Sequence, residues 1–174
     1  MAFERAEIIE LLNSLNDELA KDGVTGELYV LGGAVMCVAL EARASTQDID
    51  GYFKPTSSVR AAAKRVAASA GVAADWLNDA AKGYISEKGD FNPFLELSNL
   101  RIMTASPKYL LAMKCLAMRL GAEFHDENDV RFLLRYLDVT NYEAAVNIIS
   151  RYYPLERFPQ KTLYALEEIC AEPG

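Results

Sequence analysis

Apolar positions follow the helical period over residues 4–20, where Ile8, Leu11, Leu12, Leu15 and Leu19 recur every three or four residues with charges between them. Gly23 and Gly26 close that helix. Leu28-Tyr29-Val30-Leu31 is an unbroken apolar run and reads as a short buried strand. Gly32-Gly33 interrupts it, and the Ala-, Val- and Leu-rich residues 34–42 read as a buried helix that starts at the glycines. Residues 46–53 alternate and predict a second strand, which Pro55 stops. Ser57 or Ser58 caps an alanine-rich helix over 59–70. Residues 75–79 open a further short helix, and 83–92 read as loop. Residues 94–97 and 100–103 read as two strands around the two-residue turn Ser98-Asn99.

From there the periodicity is helical only. Ser106-Pro107 starts a helix that runs through 109–120, with Ser as N-cap and Pro in the first turn. Another begins near 126–129 and continues through 130–137, and Thr140-Asn141-Tyr142-Glu143 is a capping box for a helix over 142–152. Pro154 and Pro159 bracket a connector before a last helix over 161–171. This order predicts the α/β (α+β) class. A mixed sheet flanked by helices occupies residues 1–105, and a C-terminal helical bundle over 106–174 packs on it as one compact unit.

Composition narrows the picture. A chain of 174 residues, 51% of them apolar, is long enough for one domain with a real core. Lys and Arg number 18 against 25 Asp and Glu, a net charge of −7, so the protein is not a general nucleic-acid-coating module. Aromatics at 10% and a mean hydropathy near zero exclude disorder. No apolar run is long enough to cross a bilayer, and the acidic amphipathic N-terminus is unlike a signal peptide, so the expectation is a cytoplasmic protein. Cys37, Cys115 and Cys170 are scattered and odd in number, which predicts reduced core thiols and no disulfide or zinc framework.

The chemistry concentrates between Leu28 and Phe53. Asp48 and Asp50 are two apart on a strand, which puts both carboxylates on one face and Ile49 on the other. Adjacent carboxylates repel unless a cation lies between them, and Mg²⁺ takes a few carboxylates together with substrate phosphate oxygens. A strand that runs through Gly-Gly into a helix offers backbone N–H groups to phosphate at close range. These parts together specify metal-assisted phosphoryl or nucleotidyl transfer.

Leu31-Gly32-Gly33, fourteen intervening residues and Asp48-Ile49-Asp50 resemble the signature of the DNA polymerase β-type nucleotidyltransferase superfamily. Thr46, the stretch Asp75-Trp76-Leu77-Asn78-Asp79, and Ala105-Ser106-Pro107 leading to Leu111-Ala112-Met113-Lys114 extend the likeness to a bacterial branch of minimal nucleotidyltransferases related to toxin–antitoxin pairs of the abortive-infection type. Arg119, Asp126, Asp129, Arg151-Tyr152-Tyr153-Pro154 and Lys161-Thr162-Leu163 carry it through the tail. The resemblance implies a nucleotidyltransferase fold and transfer of NMP from an NTP to a hydroxyl of a tRNA or other RNA, a protein or a small molecule. Asp48 and Asp50 would hold Mg²⁺, and Gly32 and Gly33 would cradle phosphates. A lysine at the place of Lys114 binds the triphosphate or orders the metal carboxylates, with Arg119 as a further nucleotide-binding residue. Active members carry a third metal carboxylate on a later strand. Glu96 is the candidate and Asp90 the runner-up. An antitoxin is the implied protein partner. The alternative is a catalytically inactive nucleotide-binding or protein-interaction module of the same fold.

Other residues have bland readings beside the functional ones. Lys114 lies in a run that is otherwise apolar, so its ammonium needs either a carboxylate or a phosphate, unless its stem carries it out to solvent. Arg119 has Asp126 or Asp129 as possible partners, and those two are also well placed as N-cap and N3 of a helix. Trp76 reads as core before base stacking, and His125 as no ligand. Arg60, Lys64 and Arg65 form a basic helix face, solvated or turned to an RNA acceptor.

Overall fold

The computed structural model describes residues 2–121 and 124–173. In chain order the elements are β1 (Phe3–Glu4), α1 (Arg5–Lys21), β2 (Gly26–Leu31), α2 (Gly32–Val38), β3 (Ser45–Thr46), β4 (Ile49–Lys54), α3 (Thr56–Ala70), β5 (Leu77–Asn78), β6 (Phe91–Glu96), β7 (Leu100–Ala105), α4 (Pro107–Leu116), α5 (Asp126–Tyr136), α6 (Tyr142–Ile149) and α7 (Gln160–Ala171). The fold is α+β. Two compact units share the chain: Met1–Gly83 with Phe91–Ala105, and Tyr84–Asp90 with Ser106–Gly174. One division between them falls between Ala105 and Ser106. The segment Tyr84–Asp90, however, belongs with the helices although it lies between elements of the sheet.

In the first unit a mixed sheet has the strand order β5-β4-β2-β7-β6. β2 is antiparallel to β4 and parallel to β7, β5 is parallel to β4, and β6 is antiparallel to β7. Alternation assigns the faces. Leu28 and Val30, Ile49 and Phe53, and Leu100 and Ile102 are buried on one side. The apolar stripe of α1 (Ile8, Leu11, Leu12, Leu15, Leu19) and that of α3 (Val59, Ala62, Ala63, Val66) cover it. Burial of each such Leu, Ile or Val contributes about 1.5–3 kcal/mol. The other face carries Tyr29, Tyr52 and Phe91, with Tyr29 and Tyr52 stacked at 4.5 Å between ring centroids. β1 and β3 form a separate two-stranded sheet, too short to leave a periodic signal.

At Gly51 the backbone of β4 closely approaches that of β2. A Cβ there would lie 2.3 Å from the carbonyl oxygen of Tyr29. Gly51→Ala is therefore expected to cost about 1–3 kcal/mol or more, a fall of roughly 2–4 °C in melting temperature per kcal/mol. An unchanged thermal melt would contradict this packing.

Three expectations need correction. Residues 75–79 do not open a helix. Trp76 is fully buried, its Nε1 donates to the Ala63 carbonyl at 2.9 Å, and its own carbonyl accepts from Ile49 N at 2.7 Å. That anchoring lays Leu77 and Asn78 beside Ile49 and Asp50 as β5, and a 3₁₀ turn over Ala80–Tyr84 follows. Packing overrides local propensity here, and Trp76 is core. The strand expected at 94–97 begins earlier, at Phe91. Pro93 is tolerated there because β6 is an edge strand with an irregularity between Pro93 and Leu95. α2 stops at Val38 and α4 at Leu116, short of residues 42 and 120.

The second unit centres on α4, buried almost all round through Tyr109, Leu110, Leu111, Ala112 and Cys115, with α5, α6 and α7 against it. Ser106 caps α4 as expected, its side chain accepting from Tyr109 N at 3.2 Å. The α6 cap is Asn141, one residue later than the capping box placed it. Burial pushes the Cys115 thiol up to about 12, as suits an inert core thiol. Cys37 is buried too, and all three cysteines are free. Among the described residues no helix is long and apolar enough to cross a membrane.

Candidate functional site

The two halves of the Gly-Gly and Asp-x-Asp pattern meet at the end of β2. Leu31 pairs with Asp50, and the chain turns at Gly32 immediately afterwards. Gly32 adopts a left-handed φ of 65°, a conformation glycine takes without a Cβ penalty. A Cβ on it would lie 4.0 Å from Asp50 Cβ, so the turn stands directly beside that carboxylate. A Cβ on Gly33 would come 2.7 Å from an Arg43 guanidinium nitrogen. Arg43 thus lays a positive charge against the Gly-Gly turn, a contribution the sequence reading missed because Arg43 lies in an irregular segment with no motif around it. α2 is seven residues long, so its dipole adds little and the backbone N–H groups of the turn matter more.

Ile49 is fully buried, Asp48 just before it is exposed and Asp50 just after it is half-buried, as the two-residue period requires. Each carboxylate is held by a neighbour. Asn78 Nδ2 donates to Asp48 Oδ2 at 3.1 Å, and Ala81 N donates to Asp50 Oδ1 at 3.1 Å. Burial raises the Asp50 carboxyl above its ordinary value, and the charges of Asp48 and Asp79 raise it further. The hydrogen bonds from Ala81 and Gly51 oppose the rise without cancelling it. Asp79 is bound by Arg60 at 2.8 Å and Lys82 at 3.4 Å. Arg60 is accordingly part of this neighbourhood and not a purely solvated face.

A carboxyl with a raised folded-state value binds its proton more tightly folded than unfolded. Stability then falls as pH rises through the window above about 4, and the ionised Asp50 costs stability at neutral pH. Asp50→Asn is expected to raise the metal-free melting temperature at pH 7, by roughly 2–4 °C per kcal/mol of strain relieved, and to lose that gain as the pH falls below about 4. A melt that is lower at pH 7, or a gain independent of pH, would contradict the assignment.

Glu96 is not brought to this place. It ends β6, exposed, opposite Arg101, which lies beside Glu27 toward the far end of β2. Three strand spacings, roughly 14 Å, separate β6 from β4. Asp90 belongs to the helical unit, where Ser106 Oγ and the Tyr152 hydroxyl donate to it. The carboxylate whose charge acts on Asp50 along with Asp48 is Asp79. Its signal in the sequence was the adjacency to Asn78, legible only once β5 is known to pair with Asp50. Among the described residues no group of three His, Cys, Asp or Glu side chains is arranged to hold a metal ion.

Lys114 has the carboxylate partner rather than an open one. Its Nζ lies 2.8 Å from Asp129 Oδ2 and 3.9 Å from Asp126 Oδ1, with all three side chains largely buried. Arg119 donates from both N and Nε to Asp126 Oδ2 at 2.9 Å, and its guanidinium lies 4.5 Å over the Phe124 ring. Asp126 and Asp129 are thus ion-pair partners and not N-cap and N3 of α5, whose cap position is His125. Burial would lift the Asp126 carboxyl, but the hydrogen bonds from Arg119 and the charges of Lys114 and Arg119 outweigh it and hold it below the usual range.

No family model, no curated protein and no solved structure matches this chain.

Proposed function

We propose that this protein is a Mg²⁺-dependent nucleotidyltransferase of polymerase β-type fold, acting in the cytoplasm and transferring NMP from an NTP to a hydroxyl of an RNA, a protein or a small molecule. The observation that carries the reading is the meeting of the Gly32-Gly33 turn with Asp50, the strained carboxylate beside Asp48. Oxygen donors that repel one another at the end of a strand fit a hard divalent cation. Asp48 and Asp50 would hold it, and when bound it supplies charge neutralisation at the transferring phosphoryl group. The chain's own part is positioning. Gly32 and Gly33 open the backbone N–H groups to the phosphates, with Arg43 lying against Gly33. Asn78 and the Ala81 N–H fix the rotamers of Asp48 and Asp50. Lys114 is not assigned to transfer, because Asp126 and Asp129 already neutralise it.

A second reading, a nucleotide-binding module without activity, is favoured by one observation. The strand position opposite Asp50 is Asn78, and Asp79 is occupied by Arg60 and Lys82. Incubation with each α-labelled NTP, Mg²⁺ and a cell extract separates the two. Label entering RNA, protein or a small molecule supports transfer. Retained nucleotide binding without label supports the module. Toxin activity, with an antitoxin as partner, is the biological role proposed for the active form. A small neighbouring gene whose product neutralises it is the expected companion.

A further inference from the structure

One surface of this acidic chain runs against its net charge. In the helical unit a groove of about 440 Å³ lies between the segment at residues 85–88 and the turn that follows α6. Lys88, Arg151 and Arg157 line it, all exposed, and Glu87 is the one carboxylate among its described lining residues. Ion pairs elsewhere neutralise many of the cations: Arg5, Lys21, Arg60, Arg65, Lys82, Lys114, Arg119 and Arg131 each face a carboxylate. None of the three groove cations does so among the described residues. Arg151 follows the C-terminus of α6 and Arg157 ends a 3₁₀ turn over Leu155–Arg157, places where a cation is favoured in any case, but Lys88 has no such reason to be there.

The groove is also firmly built. Ser86 Oγ donates to the Tyr152 carbonyl and Ser86 N donates to the Tyr109 hydroxyl at 2.9 Å, so the wall that carries Lys88 is tied to the helices. Arg157 stacks 5.2 Å over the Tyr153 ring, which restricts its guanidinium before any ligand arrives. Tyr152 and Tyr153 are themselves buried, so no aromatic face is offered to a base. What the groove presents is two guanidinium groups, an ammonium and a net positive charge, the chemistry that recognises anionic oxygens, those of phosphate among them. Its volume exceeds what a single phosphate needs.

We propose that this groove binds the phosphodiester backbone of a single-stranded RNA, without base readout, and so grips the acceptor. The purpose of the grip rests on the transfer reading, but binding does not. An assay without nucleotide or Mg²⁺ therefore fails independently of the transfer assay.

The test uses the full chain, a fluorescein-labelled mixed-sequence RNA of 20 nucleotides, EDTA and anisotropy over a salt series. Binding is expected to weaken with salt with a log–log slope of about −2, from three contacts at roughly 0.7 each on a single strand. Lys88→Gln, Arg151→Gln and Arg157→Gln should each flatten the slope by about 0.7, and the triple variant should lose salt-dependent binding. Arg157→Lys keeps the charge and should keep binding, which separates lost charge from lost packing on Tyr153. Lys21→Gln, at the exposed end of α1, should bind as the parent does. Wild-type-like binding by the triple variant overturns the proposal. So does displacement of the RNA by polyglutamate of equal charge, which would make the groove a site for acidic protein. Displacement by millimolar inorganic phosphate would make it a site for a small anion and would equally overturn it.

Discussion

Lys114→Met is expected to destabilise the helical unit by about 3–5 kcal/mol, the usual cost of removing one partner of a buried ion pair. Methionine keeps most of the volume, so the loss reports charge and not a cavity. It leaves Asp129, whose side chain is only 5% exposed, without the ammonium 2.8 Å away, and it withdraws a second cation from Asp126. At roughly 2–4 °C per kcal/mol the melting temperature should drop by about 6–20 °C. Lys114→Met/Asp129→Asn, which discharges both partners, should melt higher than Lys114→Met alone. Acid should erode the parent in a related way. The Asp126 carboxyl lies below its ordinary value, so its contribution is complete above about 4 and is lost as pH falls through the lower folded value. A single variant that melts with the parent yet loses label transfer would return Lys114 to the nucleotide and remove it from the structural network.

The second large effect concerns transfer itself. Asp48→Ala and Asp50→Ala should each lower label transfer by about 10³-fold or more, close to 4 kcal/mol at 1.36 kcal/mol per decade. Asp50→Ala should do so without a lower melting temperature, because the parent carboxylate is strained by burial and by its neighbours. Glu96→Ala and Lys64→Ala should transfer at the parent rate. Asp79→Asn carries the distinction between the two proposed readings. If Asp79 leaves Arg60 and Lys82 to join Asp48 and Asp50, its loss should cost as much as theirs. Equal transfer by Asp48→Ala and the parent would sink the active-site assignment.

How much of this was legible in the sequence depended on whether the deciding contacts were local. The stripes of α1 and α3 and the alternation around Ile49 follow from period alone, and the structure reproduces them. The Gly-Gly turn and the Asp pair were also legible, because each states its backbone requirement within a few residues. Glu96 was misplaced because strand order is not written locally. Only the arrangement β5-β4-β2-β7-β6 sets β6 three strands from the aspartates. Leu77 and Asn78 give no strand signal for the same reason: two residues of parallel pairing with Ile49 and Asp50 leave no periodic trace. Lys114 demanded an anion on sequence grounds, and the fold selected Asp129 and Asp126 from the options open to it.

The segment Tyr84–Asp90 has a consequence for how the protein is made. Its tethers are Ser106, which donates to Asp90 from N and Oγ, the hydroxyls of Tyr109, Tyr152 and Tyr153, and the Tyr152 carbonyl. Tyr152 comes 47 residues after Ala105, the end of the last sheet strand. At about 5–20 residues per second, a ribosome needs roughly 2–10 s to cover that interval. During it the sheet strands are all synthesised, while the seven-residue excursion between them has no complete anchor. A released chain ending at residue 105 should be nicked by protease within 84–90, and the full chain should resist.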